Sequence, residues 1–188
     1  SEVTDILEKE ANKRAELLAI SQATEAPEIP DDINFPLRPF QKVAKKFAKH
    51  VGNRAILAYD MGLGKTPIAI SIAQMDTTQI KKVLIVCPAV LKTNWVREIR
   101  KATGQESNVL AGAVPSELAI RSLLIPEHKY HIINYDVIGR GTRDKDSKAF
   151  ISPWAKVINI ADFDLIIYDE AHYMKNVDSG RSKAGREL

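Results

Sequence analysis

Asp60-Met-Gly-Leu-Gly-Lys-Thr66 lies between an apolar run, Ala55-Ile-Leu-Ala58, and the helix-like segment Ile68-Ala-Ile-Ser-Ile-Ala73, and the rest of the chain is placed relative to it. Gly62 and Gly64 let the backbone take turns that a Cβ would obstruct, so successive N–H groups can point inward at phosphate oxygens. A helix opening near Lys65 adds its positive dipole end. Lys65 would then reach the β and γ phosphates, and the Thr66 hydroxyl would hold Mg²⁺. Asp60, Met61 and Leu63 complete the candidate phosphate cradle, on a turn between a strand at 55–58 and a helix running to about Met75. The strict eight-residue pattern has glycine where this chain has Tyr59, so the match covers the Gly-x-Gly-Lys-Thr half, and a plain glycine turn is the alternative. Pro67, in the first turn of that helix, costs little because N–H groups there have no intrahelical partner.

A second apolar run, Leu165-Ile-Ile-Tyr168, ends in the adjacent acids Asp169-Glu170. A magnesium nucleotide site needs such a strand end alongside its phosphate loop. Asp169 would complete the metal's shell, and Glu170 would orient or deprotonate the attacking water.

The 188 residues leave room for one α/β domain with a sizeable core plus an appendage. The single cysteine, Cys87, sits in an apolar run, so there is no disulfide framework and a reducing, intracellular compartment is expected. That compartment would be a bacterial or phage-host cytoplasm, or a nucleus. No signal peptide or membrane span is expected. Net charge is +3 but uneven: residues 1–34 hold 3 Lys/Arg against 9 Asp/Glu, whereas residues 35–188 hold 24 against 15. An acidic leader thus precedes a basic body, which suits a polyanion such as nucleic acid or a simply solvated surface.

Along the chain, Val3, Ile6, Leu7, Leu17 and Leu18 predict an amphipathic helix over 3–20, with Asp5 and Glu8 as a capping pair. Thr24 to Pro36, with three prolines, reads as a linker. Phe40, Val43, Ala44, Phe47, Ala48 and Val51 recur at helical spacing behind Pro39. The opposite face carries Lys42, Lys45, Lys46 and Lys49, as a solvated surface or a phosphate-binding one. Beyond the loop, strands at 83–87, 108–110, 131–134 and 165–168 alternate with helices at 92–103, 116–124 and 153–159. Continuous apolar strands separated by helices predict a largely parallel sheet covered on both faces. A polar loop is expected from Gly139 to Lys148. Trp95 and Ile99, at helical spacing, read equally as core.

Asp169-Glu-Ala-His172 resembles the DEAH form of the acid motif in superfamily-two helicases and translocases, and Asp60 to Thr66 resembles the phosphate loop of their SWI/SNF branch. Leu37-Arg-Pro-Phe-Gln41 is similar to the family's motif ahead of the loop, which implies that Gln41 reads the adenine edge. Cys87-Pro-Ala-Val-Leu91, followed by Asn94-Trp95 and Glu98, resembles a motif whose loop touches the DNA backbone. Ile133-Asn-Tyr-Asp136 resembles the next motif on the DNA side. Lys175-Asn176, Ser179, Arg181, Lys183 and Ala184 are similar to the segment after the acid box. His172 is implied to couple γ-phosphate state to the DNA-facing loops. Pro67-Ile68 departs from the family's usual aliphatic residue and glutamine.

The resemblance implies a RecA-like P-loop NTPase lobe at 35–188, preceded by the acidic helical leader and linker at 1–34. ATP and Mg²⁺ would be its cofactors and double-stranded DNA its partner, met through Lys92, Asn94, Arg97, Arg140 and Arg143. A second RecA-like lobe, which supplies an arginine finger, is expected to lie outside these residues. Such a finger is worth roughly 10³ to 10⁵ in turnover, so this lobe alone should hydrolyse ATP very poorly. The implied function is the ATP-binding first lobe of a double-stranded DNA translocase of SWI/SNF type. Alternatives are a strand-separating helicase, a restriction-system motor, or a nucleic-acid-binding module with an idle ATP site.

Overall fold

Two structural units, residues 1–75 and 76–188, divide the chain in the computed structural model. The structure describes residues 2–125, 127–143 and 150–188.

The first unit is helical among its described residues: α1 (Glu2–Gln22), α2 (Pro39–His50) and α3 (Lys65–Gln74). Helix α1 begins at Glu2, so Asp5 and Glu8 fall inside it rather than capping it, and none of its residues is buried. Helix α2 starts on Pro39 and buries Val43, Ala44 and Ala48, as the apolar spacing requires.

The lysine face of α2 is neither bare nor simply solvated. Residues 28–32 of the expected linker fold over it and supply counter-charges. Lys42 lies 3.2 Å from Asp31, Lys45 2.5 Å from Asp32 and Lys46 2.6 Å from Glu28, while Lys49 stays exposed. Lys45 is fully buried and donates also to the Pro30 carbonyl at 2.7 Å. Asp31 is tied down further: its carboxylate accepts from the Leu37 N–H at 2.8 Å and its carbonyl from the Ser71 hydroxyl. That amide bond, helped by Lys42, holds the Asp31 carboxyl below its ordinary pKa, and the bond from Lys46 does the same for Glu28.

Ala55–Ala58 is not a strand, contrary to expectation. An extended apolar segment becomes one only with a ladder partner, and the first unit has no strand among its described residues. Ile56 is accordingly 90% exposed.

The second unit holds the sheet. Strands β1 (Val83–Cys87), β2 (Ser107–Val109), β3 (Tyr130–Asn134) and β6 (Leu165–Tyr168) run parallel in the order β2-β3-β1-β6. The two central strands, β1 and β3, are buried at every position, which is why they read as unbroken apolar runs. Leu84, Val86 and Ile133 pack on one face with Leu123 of α5 (Glu117–Leu124) and Trp154, Ala155 and Ile158 of α7 (Pro153–Ala161). Val83, Ile85 and Cys87 alternate to the other face. Helix α4 (Lys92–Thr103) contacts β2 and β3, and its buried Trp95, Ile99 and Ala102 lie outside that first cluster. Burial pushes the Cys87 thiol up to about 12, so it behaves as a small apolar core group.

Several elements, helix α8 (Gly180–Glu187) among them, were not expected. The one-turn helix α6 (Tyr135–Ile138) follows β3 directly, and β4 (Thr142–Arg143) pairs antiparallel with β5 (Phe150–Ile151) inside the stretch read as a polar loop. Residues 144–148 of that predicted loop lie outside the described residues. Helix α8 starts against the end of α6: a Cβ on Gly180 would collide with the Gly139 carbonyl oxygen, so only glycine permits the approach. Among the described residues, no helix is long and apolar enough to cross a membrane.

Candidate functional site

In the first unit the glycine turn forms as the sequence demands. Gly62 and Gly64 both take left-handed backbone angles, φ 83° and 73°, and Gly64 is the residue from which α3 begins. Thr66 sits in the first turn of α3, where backbone N–H groups lack helical acceptors and could meet an anion. Asp60 and Met61 are exposed, Met61 by 89%, and Leu63 is half-buried.

Lys65 folds back over its own loop, donating to the carbonyls of Tyr59 at 2.8 Å and Asp60 at 3.2 Å. The ammonium is therefore held by two neutral acceptors that a phosphate could outbid, because charge-assisted bonds are roughly twice as strong. Tyr59, the departure from the strict pattern, lays its ring edge-on to Phe40, with centroids 5.7 Å apart.

Gln41 ties helix to loop. Its Nε2 donates to the carbonyls of Leu63 and Gly64, both at 3.2 Å, while its Oε1 accepts from the Arg38 N–H at 2.9 Å. Both amide hydrogens are used, so what Gln41 retains for a base is the second lone pair of Oε1. A Cβ on Gly64 would sit 2.6 Å from that Nε2, so a larger residue there would displace the Gln41 amide from its loop bonds in addition to straining φ.

In the second unit Asp169 follows the last residue of β6 and is fixed at three points. Its N–H donates to the Val86 carbonyl at 2.9 Å, its carbonyl accepts from the Tyr135 hydroxyl at 2.8 Å, and its Oδ2 accepts from the Trp95 indole at 2.8 Å. Among the described residues its Oδ1 has no hydrogen-bond partner. A free carboxylate oxygen at a strand end is a hard donor of the kind Mg²⁺ accepts, since that ion takes one or two carboxylates with waters and phosphates completing its shell.

Glu170 then turns sharply, at φ 52° and ψ 50°, into a single 3₁₀ turn over Ala171–Met174. A non-glycine residue in that left-handed region carries strain of order 1 kcal/mol, and it ends the extended backbone of the strand at Glu170. His172 Nδ1 lies 3.2 Å from Glu170 Oε2, with both side chains partly exposed. Beyond them Tyr173 stacks on Tyr135, centroids 5.5 Å apart and planes within 7°, and Arg181 lies over the Tyr173 ring while pairing with Asp136. Burial holds the Tyr135 hydroxyl far above its usual pKa, so it remains a donor to Asp169 throughout the accessible range.

The candidate nucleic-acid residues fall in two places. Lys92, Asn94 and Arg97 lie on the first two turns of α4, with Arg97 exposed and donating to Asn94 Oδ1 at 2.6 Å. Arg140 and Arg143 are exposed at the start of the β4–β5 ribbon. Sequence reasoning left Trp95 as possible core and gave no role to Tyr135. A buried indole N–H seeks an acceptor, which is the signal that pointed beyond packing for Trp95.

Comparison with known proteins bears on the whole arrangement. The family model of the SNF2-related domain matches residues 34–188. The human "DNA annealing helicase and endonuclease ZRANB3" is 32% identical over 155 residues, 82% of this chain and 13% of that protein. A Xenopus laevis protein named "SWI/SNF-related matrix-associated actin-dependent regulator of chromatin subfamily A-like protein 1" is 31% identical over 156 residues, 81% of this chain and 14% of its own length. The chain thus spans about one seventh of these relatives. Among solved structures, the "Sulfolobus solfataricus SWI2/SNF2 ATPase core in complex with dsDNA" superposes with a TM-score of 0.62 at 25% identity, over 85% of this chain and 31% of that one. The α/β architecture is that of the RecA-like first lobe, and on its motifs, its fold and its match over residues 34–188 the chain belongs to the SNF2-related domain family.

Proposed function

We propose that residues 35–188 form the ATP-binding first lobe of an ATP-dependent translocase on double-stranded DNA, with residues 1–34 as an acidic leader and linker. The observation that carries this reading is the state of the DEAH box: Asp169 pinned at three atoms with Oδ1 unpaired among the described residues, and the backbone turning sharply at Glu170 beside it. Family membership supports ATP hydrolysis as the chemistry, and the double-stranded DNA held by the related ATPase core supports the partner.

In this mechanism the loop Asp60–Thr66 binds the phosphates, Lys65 exchanges its carbonyl partners for phosphate oxygens, and Gln41 reads the adenine with its remaining lone pair. Thr66 and Asp169 are the residues that would hold Mg²⁺, and the ion would supply charge neutralisation on the phosphates. Glu170 orients the attacking water and accepts its proton at a carboxylate oxygen; His172, against Glu170, transmits the nucleotide state. Lys92, Asn94, Arg97, Arg140 and Arg143 contact DNA phosphates, which gives affinity without sequence preference. A second lobe of the full-length protein supplies the arginine finger, and the protein works inside the cell, where its polyanionic substrate is.

DNA-stimulated ATPase activity of the full-length protein is the test. Lys65→Ala and Glu170→Gln are each expected to abolish it, and activity unchanged in either variant sinks the reading. The separate chain is expected to bind nucleotide weakly and turn it over very slowly; fast Mg²⁺-dependent turnover contradicts the need for a second lobe. Stimulation by double-stranded in preference to single-stranded DNA, without unwinding, separates the translocase from a strand-separating helicase.

A further inference from the structure

We propose that Trp95 is a positioning residue for the divalent cation: its indole N–H fixes Oδ2 of Asp169 so that Oδ1 alone is presented as ligand. This rests on the reading of Asp169 as the Mg²⁺ ligand.

The backbone of Asp169 is already immobilised on both sides, by the Val86 carbonyl and the Tyr135 hydroxyl. What is left to a short acidic side chain is rotation about χ1 and χ2, and the bond from Trp95 Nε1 to Oδ2 at 2.8 Å removes it. The donor is itself rigid: Trp95 is 2% exposed, on the same helix face as the fully buried Ile99, so the indole cannot follow a wandering carboxylate.

The chemistry of the donor matters too. A lysine or arginine in that position would orient the carboxylate but neutralise it, and so compete with the cation for its charge. An indole N–H is a neutral donor with no acceptor function, so it orients Asp169 while leaving the full negative charge in place. Trp154, the other tryptophan, is equally buried, and it donates to a backbone carbonyl, that of Gly112, at 3.0 Å. Only Trp95 gives its N–H to a carboxylate, and partners of this kind behind a metal ligand govern cation affinity tenfold to a hundredfold when removed.

The experiment measures binding of a fluorescent ADP analogue to the chain as Mg²⁺ is titrated, in wild type and in three variants. Trp95→Phe keeps a ring in the core and deletes the N–H; it is expected to raise the Mg²⁺ concentration for half-maximal binding by ten- to a hundredfold. Trp154→Phe removes a comparable buried N–H and is expected to lower the melting temperature similarly while leaving the Mg²⁺ requirement at its wild-type value. An unchanged requirement in Trp95→Phe, alongside a raised one in Asp169→Asn, overturns the role of Trp95 and leaves the proposed function standing. An unchanged requirement in Asp169→Asn overturns the reading of Asp169 itself. In a second measurement, Mn²⁺ replaces Mg²⁺ with ADP bound. The Trp95 indole proton resonance is expected to broaden more than that of Trp154, and equal broadening of the two counts against the proposal.

Discussion

The Lys45 ammonium is completely buried in the first unit and rests 2.5 Å from the carboxylate of Asp32, thirteen residues earlier in the chain. Removing the carboxylate strands a wholly buried ammonium, at a cost of roughly 3 to 5 kcal/mol, whereas removing the lysine leaves Asp32, whose side chain is 25% exposed, within reach of water. Asp32→Ala is therefore expected to destabilise the chain by about 3 kcal/mol, and Lys45→Met by much less. Urea denaturation at pH 7 reads the difference; equal losses in the two variants contradict the asymmetry.

Gly64 and Gly62 are both left-handed, but only Gly64 has a neighbour where a Cβ would go. Gly62→Ala is expected to cost about 1 kcal/mol from backbone strain alone. Gly64→Ala adds a collision with Gln41 Nε2, and is expected to cost more and to loosen the hold of α2 on the loop. Thermal melting ranks the two variants, and the nucleotide affinity of each reads the loop.

His131 is wholly buried, with Nε2 3.0 Å from the His128 carbonyl and Nδ1 3.2 Å from the Asn108 amide. Burial pushes its pKa down to about 4, with Lys82 acting in the same direction. The unfolded chain, with an ordinary imidazole, binds a proton between about pH 6.5 and 4 that the folded chain refuses. Stability is thus fully present above pH 6.5 and is lost as pH falls towards 4. About 2 kcal/mol of loss is expected between pH 7 and pH 5 from this group. Urea midpoints at the two pH values measure it, and His131→Gln is expected to flatten the slope.

Arg97 is exposed on α4, and Arg140 and Arg143 are exposed just before and within β4. If each meets a DNA phosphate, its replacement by alanine lowers the slope of log affinity against log salt by about 1 and weakens all sequences alike. Fluorescence anisotropy across a salt series tests each arginine in turn. A variant whose slope equals that of wild type carries no phosphate contact at that residue.

Much of the fold was legible because the central strands are buried on both faces. Val83–Cys87 and Tyr130–Asn134 are unbroken apolar runs for that reason, and the helices between them show their apolar spacing plainly. Ala55–Ala58 looked the same, and no local signal distinguishes a strand from an extended run without a ladder partner. The β4–β5 ribbon escaped because its strands are two residues long, too short for any alternation to register. At the candidate site, glycines, lysine and acids announce themselves by type and order. Their restraints do not: Gln41 against the loop, Trp95 on Asp169 and Asp32 on Lys45 join residues 13 to 74 positions apart. Such pairings depend on how elements pack, which composition and periodicity leave undetermined.

The left-handed turn at Glu170 sets backbone comfort against chemistry within a single residue. Glycine or asparagine would relax that turn, and a library selected for thermal stability or soluble expression is expected to enrich both at position 170. Each would delete the carboxylate proposed to activate water. A sturdier chain obtained that way would be an inert one, so screens on this protein need a turnover readout alongside melting.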